Sequence, residues 1–183
     1  MAGISPESKS EERDEESNEI TLRPIALSDI DDFMVWATDD RVSHFCTWDA
    51  YTSKHQAFQF INDVAIPHPW FRVICINNRA VGSISVTPDS EGCRAELGYV
   101  LAFEHWGKEI VTRAVKMVAS NIFKEWPELK RLQALVDVEN KGSQRVLEKA
   151  GFLREGVLRK YLTSKGRCSD MVILSILSTD LVS

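Results

Sequence analysis

Long apolar runs are missing from this chain of 183 residues. None approaches 18 residues, so no membrane span is expected. The first residues hold no apolar stretch of signal-peptide type, and their acids argue against an organelle transit peptide. A cytoplasmic, or additionally nuclear, location is the expectation. A basic excess is missing too. The formal net charge is −5, and residues 1–19 alone hold seven acids against two bases. The remainder therefore balances, 20 against 20, which speaks against bulk attraction to nucleic acid or to a membrane surface. Cysteine is scarce: Cys46, Cys75, Cys93 and Cys168 stand alone, with no C-x-x-C spacing. Ordinary reduced thiols are expected. His44, His55, His68 and His105 are scattered and make no metal set. No internal repeat is visible.

What is there fits one domain with a sizeable core, since 44% of residues are apolar. Residues 1–19 are polar, acidic and Ser-rich, and are expected to be a disordered tail before a domain over residues 20–179. Ile20–Ile25 alternates as a first strand. Ser28 and Asp29 suit a helix start running to about Ala37, and Ser53 suits the cap of a second helix ended by Pro67 and Pro69. Trp70–Ile76 and Ala80–Thr87 read as a hairpin across Asn77-Asn78-Arg79. Arg94–Leu101 is the next strand. The spacing predicts a helix from about Lys108 to Lys124, a strand over Leu132–Val138, a shorter helix from Asn140 or Gly142 to Gly151, and a closing antiparallel pair from Phe152 to Leu177. The order is βααβββαβαββ, a mixed α/β domain.

The stretch from Tyr99 to Thr112 organises the rest. An apolar strand ends, Gly107 supplies a turn, and a long helix begins. The first N–H groups of that helix have no partner inside it and carry roughly half a positive charge, which suits an anion such as a phosphate. On the strand before it, period-two alternation places Glu96 with Gly98 and Val100, opposite Ala95, Leu97 and Tyr99.

Three patterns carry a resemblance. They are Trp106-Gly107-Lys108-Glu109-Ile110-Val111-Thr112-Arg113-Ala114, Ala95-Glu96-Leu97-Gly98-Tyr99, and Asn140-Lys141-Gly142-Ser143 continuing to Lys149-Ala150-Gly151-Phe152. In this order and on these elements the chain resembles the GNAT N-acetyltransferase superfamily, in its RimJ/RimL-like branch, from about Ile20 to Leu177. The resemblance implies a mostly antiparallel twisted sheet with a splay between central strands and helices on both faces. It implies transfer of an acetyl group from acetyl-CoA, as co-substrate and without a metal, to an amine by direct attack. Backbone groups of Tyr99, Val100 and Leu101 would hold the pantetheine arm. Those of Trp106, Gly107, Lys108, Glu109, Ile110, Val111 and Thr112 would hold the pyrophosphate. Asn140 would also touch the coenzyme.

Glu96 is the implied base for the amine, the alternative being an ion pair with Arg94 or Arg72. Many relatives carry a Tyr acid at the position of Leu147. The branch points instead to Ser143 as the acid, the alternative being that Asn140 and Ser143 are simply helix-start residues. The turn also departs from the family's Q/R-x-x-G-x-G/A, with Glu104 and Glu109 at two of its positions. A Glu in a first helical turn gains about 0.3–1 kcal/mol from the dipole. A peptide α-amine, with pKa about 7.7–8.0, is far more often neutral at pH 7 than a Lys side chain at about 10.4. The expected acceptor is therefore a protein or peptide N-terminus, with polyamines or other small amines as the alternative. The expected assembly is a monomer or weak homodimer. A non-catalytic acyl-CoA-binding module is the rival reading.

Overall fold

The computed structural model describes residues 19–181. The acidic tail expected over residues 1–19 lies, apart from Glu19, outside the described residues. Seven strands form one sheet in the order β1-β2-β3-β4-β5-β7-β6, and only the β4–β5 pair is parallel. They are β1 (Ile20–Pro24), β2 (Phe71–Ile76), β3 (Arg79–Pro88), β4 (Arg94–Leu101), β5 (Arg131–Asp137), β6 (Leu153–Ser164) and β7 (Arg167–Leu177). The helices are α1 (Ile30–Ala37), α2 (Asp40–Ser43), α3 (Lys54–Phe60), α4 (Ile110–Glu125) and α5 (Lys141–Lys149). A π turn, Ile61–Ala65, prolongs α3.

Local chemistry accounts for the element ends. Ser53 accepts from the Gln56 N–H at 3.4 Å while Gln56 accepts from the Ser53 N–H at 3.2 Å, a reciprocal cap for α3. Asn77 and Asn78 have φ of 49° and 68°, as a two-residue turn must to match the strand twist. At the first helix the expected cap shifts. Leu27–Asp29 form a 3₁₀ turn, and Asp29 rather than Ser28 holds it. Its carboxylate accepts from the Ala26 N–H at 2.9 Å and from both Arg23 terminal nitrogens at 2.7 and 2.8 Å. The expected order is otherwise kept, with α2 as an addition. That single turn, capped by Asp39 accepting from the Arg41 N–H, is too short to leave a periodic signal.

The sheet carries a core on each face. One buries Ile110, Val115, Val118 and Ile122 of α4 and Leu147 of α5 against β3, β4, β5 and β7. The other packs Phe33, Trp36, Val42 and Ile61, from the α1–α3 side, against Val73, Cys75 and Ala80. Fully burying an aliphatic side chain contributes about 1.5–3 kcal/mol. The four α4 side chains are thus enough to pin that helix, and with it the position of its N-terminus.

β4 and β5 stay together only at Arg94–Arg131, Ala95–Leu132 and Glu96–Gln133. Beyond these pairs β4 runs on to Leu101 and β5 to Asp137 without pairing, so the sheet opens as the resemblance implied. Along β4 the alternation is as expected: Ala95, Leu97 and Leu101 are buried, whereas Glu96 and Gly98 are exposed.

Candidate active site

A cleft of about 960 Å³ occupies the opening between β4 and β5. Every residue expected at the site lines it: Glu96 and Tyr99–Leu101 from β4, Trp106–Thr112 from the turn into α4, and Asn140 and Ser143 from α5. Because β4 lacks a β5 partner after Glu96, its outward backbone groups from Leu97 to Val100 present a free sheet edge to the cleft, able to pair with an extended amide-bearing chain.

The α4 entrance is built by two left-handed residues. Gly107 has φ 74° and Glu109 φ 58°, with Lys108 between them outside that region. This turn leads directly into the unpartnered first N–H groups of α4, which suit an anion. Glu109 is therefore the residue before the helix, not part of its first turn as the sequence suggested, and the helix starts at Ile110 rather than Lys108. Its carboxylate pairs with Lys149 from the end of α5, which holds it below the usual carboxylate range. The charge expected to oppose a phosphate is thus matched by a cation on a neighbouring helix. Trp106 is 45% exposed on the cleft rim, with its indole N–H on the Leu101 carbonyl at 2.9 Å.

The β5–α5 turn places the third group. Asn140 caps α5 by accepting from the Ser143 N–H at 3.0 Å. This uses the Asn140 oxygen and leaves its amide NH₂ as a donor. The Ser143 hydroxyl does not serve the cap. It lies 2.6 Å from the Tyr99 hydroxyl, which is also 3.2 Å from the Ser143 carbonyl. Burial pushes the Tyr99 phenol up to about 12, so it stays protonated at any working pH. Leu147 is fully buried in the core, and no side chain replaces the family's Tyr acid there.

Glu96 lies on the other face of β4. The partners suggested by sequence are engaged elsewhere. Arg94 is 3.2 Å from Asp89, and Arg72 sits over the Trp70 ring at 4.7 Å. Among the described residues Glu96 has no ion-pair partner, and although it reaches solvent, partial desolvation raises its pKa above the ordinary carboxylate value. Its face of the sheet also carries Leu135 and Met171. The loop after α2 brings Phe45, Cys46 and Trp48 to the same cleft, and β6 brings Tyr161. Trp36 and Trp70 are core residues. Burial pushes the Cys46 thiol up to about 11, so it is not a thiolate near neutrality. Sequence reasoning missed Phe45 and Cys46 of the loop after α2, the Tyr99 hydroxyl and Tyr161. Tyr161 is thrown out by a β6 bulge in which Lys160 has φ 51°, and only the register against β7 reveals it.

The arrangement offers an anion-binding turn, a free strand edge, an unpaired carboxylate on one sheet face and a hydroxyl pair on the other. Comparison with known proteins gives a consistent picture. A family model described as the acetyltransferase (GNAT) domain matches residues 19–153. The uncharacterized N-acetyltransferase p20 of Bacillus licheniformis is 32% identical over 168 residues, 88% of this chain and 94% of that protein. The structure of the microcin C7 self-immunity acetyltransferase MccE, in complex with acetyl-CoA and AMP, matches with a TM-score of 0.77 at 25% identity. The match covers 87% of this chain and 92% of that one. Mycobacterium smegmatis RimJ, in complex with CoA-disulfide, shares the fold at a TM-score of 0.75 and 24% identity, over 90% of this chain and 84% of its own.

Proposed function

This chain belongs to the GNAT acetyltransferase family and is an acetyl-CoA-dependent N-acetyltransferase; we propose that its acceptor is the α-amine of a protein or peptide N-terminus, attacked directly on the thioester. The observation that carries the reading is the placement of Glu96 and Ser143 on opposite faces of the sheet, both lining the cleft where β4 leaves β5.

The free β4 edge suits the amide-bearing pantetheine arm, and the turn over Trp106–Thr112 suits the pyrophosphate. Asn140 offers its NH₂ to the same ligand. Glu96 takes a proton from the acceptor ammonium, directly or through a water. The neutral nitrogen attacks the thioester carbonyl carbon, a C–N bond forms, the nitrogen sheds its second proton to water and the C–S bond breaks. Ser143 donates to the departing sulfur, with the Tyr99 hydroxyl behind it, and regains a proton from water. Proton transfer of this kind is worth roughly 10²–10⁴ in rate, and holding amine and thioester together supplies much of the rest. Direct transfer fits the state of Cys46, whose thiol at a pKa of about 11 is a poor acyl carrier. An α-amine fits a site with one free carboxylate, because it needs less help to lose its proton than a Lys side chain. We keep a cytoplasmic location and a monomer or weak dimer as part of this reading.

The test has two steps. Acetyl-CoA at 100 times its dissociation constant should stabilise the protein by about 2.7 kcal/mol, or roughly 5–11 °C in Tm. Mass spectrometry should then find acetyl on the α-amine, and not on the side chain, of a peptide carrying an internal Lys. Binding without transfer to any amine would favour the acyl-CoA-binding rival.

A further inference from the structure

The cleft is poor in free negative charge and carries apolar side chains on its Glu96 face, and both properties bear on which N-terminus it takes. The other carboxylates lining the cleft already have cations. Glu109 pairs with Lys149, and Asp137 and Glu139 pair with Arg167 at 2.5 and 2.8 Å. Among the described residues of the lining, Glu96 alone is unmatched. A polyamine carries two or more ammonium groups along one chain, and only one of them would find a partner here.

The walls near Glu96 are different in kind. Met171 lies on the Glu96 face of the sheet, paired across the ladder with Asp137 and Leu158. Phe45 is 36% exposed and Tyr161 56% exposed, so both can offer apolar surface to a ligand in the cleft. Trp48 and Leu162 are half-buried beside them. The tip of the β6–β7 hairpin is tied to the α2 segment, fixing the two walls relative to each other. Lys165 donates to the Ser43 carbonyl at 2.8 Å and stands 3.6 Å from Asp49, while Ser164 reaches the Thr47 carbonyl at 3.5 Å. The β6 bulge exists to aim Tyr161 off the ladder: Leu158 pairs with Met171 and Leu162 with Ser169, so two extra residues are looped out between them.

We infer that the acceptor is an α-amine whose own residue bears a bulky apolar or aromatic side chain, seated among Phe45, Trp48 and Tyr161 with the ammonium at Glu96. The inference rests on the acetyl-transfer reading above. The experiment is a panel of peptides identical after the first residue, which is Gly, Ser, Asp, Leu or Phe, with spermidine alongside. An apolar pocket discriminates by about 10–200-fold per group filled. The Leu- and Phe-first peptides should therefore exceed the Gly-first peptide at least tenfold in kcat/KM, with spermidine lowest. Phe45→Ala and Tyr161→Ala should each narrow the Phe-to-Gly ratio at least threefold, through KM. Best turnover on the Gly-, Ser- or Asp-first peptide or on spermidine would overturn the inference, and so would a ratio unmoved in both variants. Acetyl transfer without apolar preference leaves the acetyltransferase reading standing and removes only this inference. Transfer to none of the amines, with coenzyme binding intact, removes both.

Discussion

The Tyr99 hydroxyl lies 2.6 Å from Ser143 Oγ, joining the splayed strand to the helix across from it. The two residues are far apart in the chain, and the Ser143 hydroxyl is not used by the α5 cap, which takes only the Ser143 backbone N–H; the Tyr99 hydroxyl also reaches the Ser143 carbonyl at 3.2 Å. If the pair donates to the leaving sulfur as a unit, Ser143→Ala and Tyr99→Phe should each lower kcat roughly 10²–10⁴-fold with the KM for acetyl-CoA little changed. The double variant should be close to the worse single one, because residues acting as a unit are not additive. Steady-state kinetics on the three variants decides it. Losses that multiply would break the unit apart.

Glu96 sets the acid side of the pH profile. Burial raises its pKa, so the base is protonated, and idle, over a wider acid range than a free carboxylate. The acid limb of kcat/KM should accordingly rise through a pKa above the ordinary Glu value of about 4.3. Glu96→Gln should lower the rate by roughly 10²–10⁴ and abolish that limb. A variant within twofold of wild type across pH 6–9 would remove Glu96 from the mechanism.

Lys149 and Glu109 form the second cross-element pair, and it bears on the coenzyme. Lys149→Ala leaves an uncompensated carboxylate beside the α4 N–H groups, so acetyl-CoA affinity should fall about tenfold. Glu109→Gly removes that charge and also suits the φ of 58°. The double variant should thus bind nearer to wild type than Lys149→Ala does. Titration calorimetry on the cycle checks this. Equal losses in the single and double variants would mean that Lys149 meets the ligand directly.

The parts of the site legible in the sequence are those fixed by short-range rules. Alternation along β4 placed Glu96 opposite Leu97 and Tyr99, a turn residue marked Gly107, and capping chemistry marked Asn140. What escaped depends on partners distant in sequence. The Glu109–Lys149 pair and the Tyr99–Ser143 contact each join different elements, and the β6 bulge is defined only by its register with β7. The left-handed Glu109 escaped for another reason: a Glu at a helix entrance is ordinary by composition, and only backbone geometry sets it before the helix rather than in its first turn. The one-turn α2 escaped because four residues cannot display a 3.6-residue period.

The Arg23–Asp29 pair tests the fold independently of the chemistry. Asp29 is nearly buried, accepts from Arg23 at 2.7 and 2.8 Å, and holds the Ala26 N–H at 2.9 Å, closing the link from β1 to α1. The Arg23 hydrogen bonds, followed by the Ala26 N–H, outweigh desolvation and set the Asp29 pKa below its usual value. A carboxylate depressed in this way adds stability above its unfolded pKa of about 3.9, and that stability is lost as pH falls through the lower folded value. Removing one partner of a buried pair costs about 3–5 kcal/mol. Arg23 is one-third exposed, so solvent screens part of the effect and a figure of about 2 kcal/mol is more apt. Asp29→Asn should then lower Tm by roughly 4–8 °C at pH 7. The gap to wild type should shrink as pH drops below about 4, because the unfolded wild-type chain then takes up a proton at Asp29 that the folded state resists until lower pH. Thermal unfolding of both proteins at pH 7 and pH 3 measures the gap directly. A gap as wide at pH 3 as at pH 7 would show that Asp29 stabilises the link through packing or its neutral hydrogen bonds, and not through its charge.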